Sequence, residues 1–232
     1  MESFISTLPF YREALVRLFF PGLCAFCRQL LELEEKGLCR ICRGPLIKLR
    51  LLPSEERIRV HLSRVDEAWT LFRYEEAVKE IIHKIKFGKR RDLLHLFNEE
   101  LRQFFSRDNR FADYDCMVPI PLDSGRRIER EFNQSSLLAS KIAKVLKIRI
   151  EQKGLGKRRR TPAQSLLGRE GRKLNMERAF YVPRPEKIRG RAVLIVDDVF
   201  TTGATLEEAA KTLKAAGASQ IGFFALARTF PH

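Results

Sequence analysis

The stretch of residues 193–205, VLIVDDVFTTGAT, decides the fold of this chain. Four apolar residues lead into two adjacent carboxylates, Asp197 and Asp198. A loop of small residues follows, made of Thr201, Thr202, Gly203, Ala204 and Thr205. An unbroken apolar run that ends at a turn signal predicts a parallel strand buried on both faces. Apolar residues at helical spacing from Leu206 onward predict a helix after it, which ends at Gly217.

A strand, a tight loop and a helix N-terminus together make an anion site, because unpaired backbone N–H groups and the helix dipole attract negative charge. Gly203 lets the backbone approach a phosphate closely, and the threonine hydroxyls add donors. Asp197 and Asp198 can accept hydrogen bonds from two vicinal hydroxyls and hold a hydrated Mg²⁺, which prefers one or two carboxylates with substrate phosphates. The stretch therefore predicts a site for a sugar 5-phosphate with a free 2,3-diol.

The same stretch resembles the phosphoribosyl pyrophosphate (PRPP) motif of the type I phosphoribosyltransferases, and every position fits that pattern. The resemblance implies Mg²⁺-dependent PRPP binding. The implied binding residues are Asp197, Asp198, Thr201, Thr202, Gly203, Ala204 and Thr205.

A second apolar run, residues 116–122 (CMVPIPL), opens into a basic loop that contains Ser124, Gly125, Arg126 and Arg127. The carboxyl ends of parallel strands lie at one edge of a sheet, so this loop is predicted beside the aspartate loop. Arginines there can bind a pyrophosphate through paired N–H groups. The alternative is an ordinary basic surface loop.

Two Cys-x2-Cys pairs, Cys24 with Cys27 and Cys39 with Cys42, stand eleven residues apart. Four thiolates at this spacing can surround one Zn²⁺ tetrahedrally and leave no open position for chemistry. The spacing predicts a structural zinc site, with two disulfides as the alternative. The fifth cysteine, Cys116, lies in an apolar strand pattern and is predicted to be a core residue.

The remaining periodicity predicts an α/β domain of the type I phosphoribosyltransferase (Rossmann-like) kind, with a parallel sheet, behind a small N-terminal four-cysteine zinc module. Further strands are predicted at 68–74, 148–150, 180–183 and 221–227. Helices are predicted at 75–87, from Asp92 as N-cap to Phe105, from Phe132 onward and, for one or two turns, within 166–175. The expected division is 1–50 for an N-terminal helix and the zinc module, 51–65 for a linker and 66–232 for the main domain.

The formal net charge is +15, and the excess is concentrated. Residues 153–191 contain thirteen basic residues against three acidic ones. Such a concentration favours a polyanionic partner, with a solvated basic surface as the alternative. The basic residues predicted to contact such a polyanion are Lys86, Lys89, Arg90, Lys157, Arg158, Arg159 and Arg160.

The chain has no apolar run near the ~20 residues of a membrane span. Its N-terminus lacks the basic-then-apolar order of a signal peptide, so a cytoplasmic location is expected. Residues 8–20 can form a short amphipathic helix, predicted to be a packing element rather than a membrane anchor.

Taken together, these motifs resemble the ComF family of competence proteins over nearly the whole chain. The resemblance is carried by CAFC and CRIC, KIKFGKRRDL, VPIPL followed by REFNQ, KRRRTPAQSLLGREGRKLN and VLIVDDVFTTGAT. One departure is Glu131, where the family usually has a glycine. Membership implies a zinc module joined to a phosphoribosyltransferase domain, PRPP binding, and a role with single-stranded DNA in natural transformation, alongside other competence proteins.

The sequence is compatible with two functions. The first is a binding protein for PRPP and single-stranded DNA, with Phe87 or Phe132 available to stack on bases. The second is an active phosphoribosyltransferase that moves ribose 5-phosphate to a nitrogenous acceptor and releases pyrophosphate. No histidine lies near the aspartate motif in sequence to act as a general base.

Overall fold

The computed structural model describes residues 22–35, 37–58, 63–107, 109–122, 132–158 and 179–230. The predicted amphipathic helix at 8–20, the basic loop after the second apolar run and the predicted helical turns within 166–175 lie outside these ranges.

The central sheet of the described chain has five parallel strands. Their bounds are Glu67–Arg73 (β1), Cys116–Pro119 (β2), Arg149–Ile150 (β3), Ala192–Phe200 (β6) and Gln220–Arg228 (β7). Gly156–Lys157 (β4) and Phe180–Tyr181 (β5) form a separate antiparallel pair. The order in the central sheet is β1-β7-β6-β2-β3, which confirms the predicted α/β class with a parallel sheet.

The helices are Arg40–Lys48 (α1), Glu76–Phe87 (α2), Asn98–Ser106 (α3), Gln134–Leu146 (α4) and Ala204–Ala215 (α5), with 3₁₀ segments at Arg91–Phe97 and Pro185–Lys187. The single helix predicted from Asp92 to Phe105 is wrong in its first half, where the chain forms the first 3₁₀ segment. The Asp92 carboxylate bonds to the Arg90 guanidinium and does not cap a helix. Tight 3₁₀ winding lets this segment bury Leu93, Leu94, Leu96 and Phe97 together.

Both faces of the sheet are covered, as a continuous apolar strand requires. Leu194 and Val196 of β6 belong to a core cluster that includes α2, α3 and α4. Val193 and Ile195 belong to a second cluster that includes α5. The strand continues past the aspartates to Phe200, because Val199 and Phe200 still pair with β7.

The site is positioned by a reversal of winding direction between β2 and β6. From β2 the chain passes through α4 to β3 at one edge, and from β6 it passes through α5 to β7 on the other side. The two helices therefore cover opposite faces, which leaves a crevice at the carboxyl ends of β2 and β6. Ligands of open α/β sheets bind at such switch points.

The predicted linker, 51–65, packs closely over residues 51–58. Leu51 N–H donates to Leu71 O, and Ile58 N–H donates to Ala68 O, both at 2.8 Å. Isolated bridges join Arg50 to Phe72 and Arg57 to Trp69 in antiparallel sense. These bonds cover the outer edge of β1, which would otherwise expose unpaired backbone groups.

The cysteine module packs against the main domain. Cys24, Leu38 and Leu46 belong to the same buried cluster as α2 and α3. Lys84 on α2 donates to Ala25 O at 2.9 Å. The two predicted units therefore share one continuous core.

Candidate functional site

A cleft of about 150 Å³ opens at the switch point between β2 and β6. Its lining residues are Lys86, Ile120, Pro121, Leu122, Gln134, Ser135, Lys157, Asp197, Asp198 and Thr205. The lining combines two carboxylates, two ammonium groups and several hydrogen-bonding groups. The structure thus brings Asp197, Asp198 and Thr205 together, as the sequence analysis expected.

Lys86, at the end of α2, reaches into this cleft and pairs with Asp198. The Lys86 Nζ atom lies 2.8 Å from Asp198 Oδ2, and the two side chains are only 19% and 15% exposed. Lys86 is predicted from sequence to be a nucleic-acid contact, and in the structure it lies beside the paired carboxylates. A partly buried ammonium here offsets part of the negative charge of the pair.

Asp197 is held by two donors on one oxygen. Ser135 Oγ and the Asp198 backbone N–H both donate to Asp197 Oδ1 at 2.8 Å. Burial and the neighbouring Asp198 carboxylate raise the pKa of Asp197 to about 7, against the smaller opposing effects of these hydrogen bonds and of Lys86. The site therefore contains a carboxyl group that is part protonated near neutral pH.

The loop between β6 and α5 presents a helix N-terminus to the cleft. Gly203 occupies the N-cap position with φ of 79°, in the left-handed region that a glycine adopts without strain. It has no side chain with which to cap the helix, so the first-turn N–H groups depend on nearby polar atoms or on a ligand. Thr201, Thr202, Ala204 and Thr205 are all exposed, and Thr202 Oγ1 lies 3.5 Å from the Ala204 N atom. This arrangement suits an anion.

Gln134 is a cleft residue that the sequence analysis did not single out. Its side chain is 3% exposed, and its Nε2 donor has no hydrogen-bond partner in the described part of the chain. A buried donor without an acceptor costs free energy, and a ligand that accepts its hydrogen bond recovers that cost.

The start of α4 is fixed by Asn133. Its Oδ1 accepts from the Ser135 N–H at 3.1 Å, and its Nδ2 donates to Ile120 O at 2.9 Å. The cap therefore ties α4 to the end of β2 and sets the position of Gln134 and Ser135. The predicted pyrophosphate loop residues Ser124, Gly125, Arg126 and Arg127 lie outside the described residues.

Four cysteine sulfurs form a cluster positioned to hold a metal ion. The sulfurs of Cys24, Cys27, Cys39 and Cys42 lie within 4.8 Å of one another. The Cys27 and Cys39 sulfurs are 3.7 Å apart. A tetrahedron with Zn–S bonds of ~2.3 Å has sulfurs ~3.8 Å apart, so this separation fits a zinc ion.

The acidities of these thiols also fit a cation site. Burial raises the pKa of Cys42 to about 12, and the neighbouring cysteines act in the same direction. Burial acts likewise on Cys24, but backbone N–H donors, first from Cys39, outweigh it and lower its pKa to about 6. A divalent cation between the sulfurs would lower the pKa of all four thiols and let them ionise together.

The predicted DNA contacts fall into two described groups. Lys89 and Arg90 follow α2, and the Arg90 guanidinium pairs with Asp92 at 2.8 Å. Lys157 lies in β4 and also lines the cleft, and Arg158 follows it. Arg159 and Arg160 lie outside the described residues.

Aromatic rings accompany both groups. Phe87 is 56% exposed at the end of α2. Tyr181 on β5 is 43% exposed, and its ring centre is 5.9 Å from the Arg158 guanidinium carbon. Phe132, the other ring considered for stacking, is partly buried against the core. The strand that contains Tyr181 is predicted from sequence, but its contact with Arg158 is not, because that contact depends on the pairing of β5 with β4.

The comparisons with known proteins agree with this architecture. The family model "Phosphoribosyl transferase domain" matches residues 133–229. The DNA utilization protein YhgH of Escherichia coli K12 is 30% identical over 224 residues, which cover 90% of this chain and 98% of that protein. Competence protein ComFC of Bacillus subtilis is 27% identical, covering 89% and 84%. Competence protein F of Haemophilus influenzae is 26% identical, covering 90% and 98%.

Among solved structures, purine phosphoribosyltransferase from Pyrococcus horikoshii Ot3 aligns with a TM-score of 0.35 at 18% identity, covering 57% of this chain and 82% of that one. A TM-score this low does not establish a shared fold, so the family assignment depends on the sequence relatives. In the described residues, none of the helices is long and apolar enough to cross a membrane. With full-length relatives at 30% identity, a matching phosphoribosyltransferase domain and a four-cysteine cluster, the chain belongs to the ComF family of competence and DNA utilization proteins.

Proposed function

We propose that this protein binds PRPP with Mg²⁺ in the cleft and single-stranded DNA on the adjoining basic surface, and that it acts in the cytoplasm in DNA uptake. The observation that supports PRPP most is the pair Asp197 and Asp198 facing an uncapped helix N-terminus at the switch point. The carboxylates suit a ribose diol, and the N–H groups suit its 5-phosphate.

Magnesium would be held chiefly by the phosphates of PRPP, with the carboxylates as its protein partners. When bound, it would neutralise the pyrophosphate charge. Lys86 already balances Asp198 and is placed to contact a phosphate that enters the cleft. The carboxylates would therefore orient the ribose, and Lys86 would offset the charge of the phosphates.

Single-stranded DNA is supported by the continuity of basic and aromatic groups beside the cleft. Lys157 lines the cleft, and Arg158 lies next to the exposed Tyr181 ring. Phosphates can pair with these cations while bases stack on the ring. The names of the relatives, which mention DNA utilization and competence, favour the same role.

We also propose that the four cysteines hold a structural Zn²⁺. Four sulfur donors leave no position for a substrate, and their cluster is part of the core that supports α2. The metal would thus stabilise the layer that carries Lys86.

Calorimetry tests the PRPP proposal. The wild type should bind PRPP with Mg²⁺ present and much more weakly without it. The variant with Asp197→Asn and Asp198→Asn keeps the shape of both side chains but loses their charge, and it should lose at least about tenfold in affinity. Equal binding by the two proteins would refute the assignment.

Phosphoribosyl transfer is the second candidate, and one observation favours it. The pKa of Asp197 is raised to about 7, and a carboxyl group with that acidity can exchange a proton with an acceptor at neutral pH. Pyrophosphate release from PRPP in the presence of a panel of nitrogenous acceptors would show transfer. If PRPP binds but no acceptor causes release of pyrophosphate, the protein is a PRPP-binding protein and not a transferase.

A further inference from the structure

A second pocket, separate from the PRPP cleft, lies between the first 3₁₀ segment and α4. Its volume is about 310 Å³, within the range of small-ligand sites. Leu94 and Leu137 supply apolar surface, while Arg91, Lys141 and Lys144 supply positive charge. Leu137, Lys141 and Lys144 are four and three residues apart, so they lie on one face of α4.

Among the described residues that line this pocket, three cations stand against one carboxylate, that of Asp92. Lys141 donates to the neutral side chain of Asn98 at 2.7 Å. Among the described residues, no salt bridge joins a carboxylate to Arg91, Lys141 or Lys144. The carboxylate at the rim, Asp92, already pairs with Arg90. The pocket therefore favours an anion.

The surroundings of Lys141 disfavour its charged form. Its side chain is half-buried, and desolvation, followed by the nearby Lys144 ammonium, lowers the pKa of Lys141. An anionic group in the pocket would offset both effects. It would pair with the Lys141 ammonium in place of water, and its negative charge would reduce the repulsion between Lys141 and Lys144.

The pocket also continues the basic path that starts at the cleft. Lys86 ends inside the cleft, Lys89 and Arg90 follow it, and Arg91 is the first residue of the 3₁₀ segment. On the other wall, the first turn of α4 lines the cleft with Gln134 and Ser135, and Lys144 lies nine residues after Ser135, ~14 Å along the helix axis. The two sites therefore share α4, which contributes residues to both.

We infer that this pocket binds one nucleotide, with the base against Leu94 and Leu137 and the phosphate near Arg91, Lys141 and Lys144. Asp92 at the rim has unused lone pairs and can accept from an exocyclic amine, which favours adenine, cytosine or guanine over thymine. The nucleotide is either free or one unit of a single strand. In the second case the inference rests on the proposed DNA binding.

Photo-crosslinking tests the inference in the full chain. One arm uses 8-azido-2′-deoxyadenosine monophosphate, and the other uses a ten-nucleotide single strand that carries one 8-azidoadenine. Peptide mapping should place the label within residues 91–98 or 137–144. Label from the free nucleotide identifies a mononucleotide site, and label from the oligomer alone identifies a strand contact.

The variant with Lys141→Gln and Lys144→Gln should lose about tenfold or more of this labelling. The matched control, Lys79→Gln with Lys211→Gln, removes the same charge from exposed positions outside the pocket and should label as the wild type does. Unlabelled deoxyadenosine monophosphate should block labelling at a concentration at least about tenfold below that of inorganic phosphate, because phosphate lacks the base.

Label that maps elsewhere, equal labelling of the two double variants, or equal protection by phosphate would each overturn the inference. Absence of labelling while the oligomer still binds in a filter assay would overturn it too, and would leave the proposed DNA binding intact. PRPP calorimetry on the pocket variant should match the wild type, which separates this site from the cleft.

Discussion

Lys86 and Asp198 form an ion pair inside the cleft, with Nζ and Oδ2 2.8 Å apart and both side chains mostly buried. The adjacent Asp197 adds a second carboxyl group, and the Lys86 ammonium offsets part of the negative charge of the two. Its position couples α2 to the end of β6. A phosphorylated ligand that binds in the cleft would then compete with Asp198 for the Lys86 ammonium.

The variant Lys86→Met should therefore weaken PRPP binding by about tenfold and lower the free energy of unfolding by about 1 to 3 kcal/mol. The methionine retains the apolar stem but leaves Asp198 buried without its partner. Calorimetry and urea denaturation measure the two effects. Lys79→Met, an exposed position on the same helix, is the control and should change neither. Wild-type affinity in Lys86→Met would show that the pair is only structural.

The raised pKa of Asp197 predicts a specific pH dependence of stability. Its folded value, about 7, lies above the ordinary value of 3.8, so the folded state holds this proton more tightly than the unfolded state does. The associated stability is present at low pH and is lost as pH rises toward and through 7. Asp197→Asn keeps an oxygen that accepts from Ser135 and from the Asp198 N–H, but it cannot ionise.

Accordingly, the stability of Asp197→Asn relative to the wild type should increase from pH 5 to about pH 7 and level off between pH 7 and pH 8. Urea denaturation at four pH values in that window measures this difference. Asp113→Asn provides a control, since it removes a carboxylate outside the cleft. A constant difference across the window would mean that Asp197 is ionised throughout.

Loss of one cysteine ligand should release the metal. Cys27 is exposed, so Cys27→Ser removes a sulfur without opening a cavity in the core. We expect less than one equivalent of Zn²⁺ after purification and a melting temperature lower by about 5 to 10 °C, because metal binding contributes to folding. Mass spectrometry of metals and thermal melts provide the measurements.

Cys116→Ala is the control for the cysteine experiment. Cys116 is fully buried in β2 and lies outside the four-sulfur cluster, so its variant should retain a full equivalent of Zn²⁺ whatever its melting temperature. A full equivalent in Cys27→Ser with an unchanged melting temperature would contradict a four-sulfur site.

The sequence predicted the elements whose pattern is local and periodic. The structure contains the elements that these patterns predict. They are the apolar strand β6, its neighbours β2 and β7, and the helix α5 that ends before Gly217. Gly217 has φ of 93°, as its predicted place after the helix requires. Four closely spaced cysteines likewise identify their cluster from spacing alone.

What the sequence could not supply was contact between distant segments. Lys86 lies in a run of basic residues, and nothing local distinguishes it from its neighbours. Only the packing of α2 against β6 brings it to Asp198, more than a hundred residues later. Gln134 and Ser135 enter the cleft for a similar reason, because Asn133 ties the start of α4 to β2.

Gln134 should affect binding and stability in opposite directions. Its Nε2 donor is buried and has no partner in the described chain, so Gln134→Met removes an unsatisfied polar group while retaining similar volume. The free energy of unfolding should stay the same or rise by up to about 1 kcal/mol. If Nε2 donates to the bound ligand, PRPP affinity should fall by about tenfold. Calorimetry that shows unchanged affinity would exclude a contact with the ligand.

The basic segment beside the cleft should control the salt dependence of DNA binding. Each phosphate that pairs with a cation adds ~0.7 to the slope of log affinity against log salt for a single strand. Replacing Lys157, Arg158, Arg159 and Arg160 with glutamine should thus lower that slope by up to about 3. Fluorescence anisotropy with a labelled oligomer at several salt concentrations measures it.

The control for the salt experiment replaces four other basic residues, Lys48, Lys79, Lys187 and Lys211, with glutamine. All four are exposed, and none lines the cleft or the second pocket. Because the net charge falls equally in both quadruple variants, a general electrostatic attraction would lower the two slopes alike. A selective loss in the segment at 157–160 indicates direct phosphate contacts there, and an unchanged slope in that variant would place the DNA elsewhere.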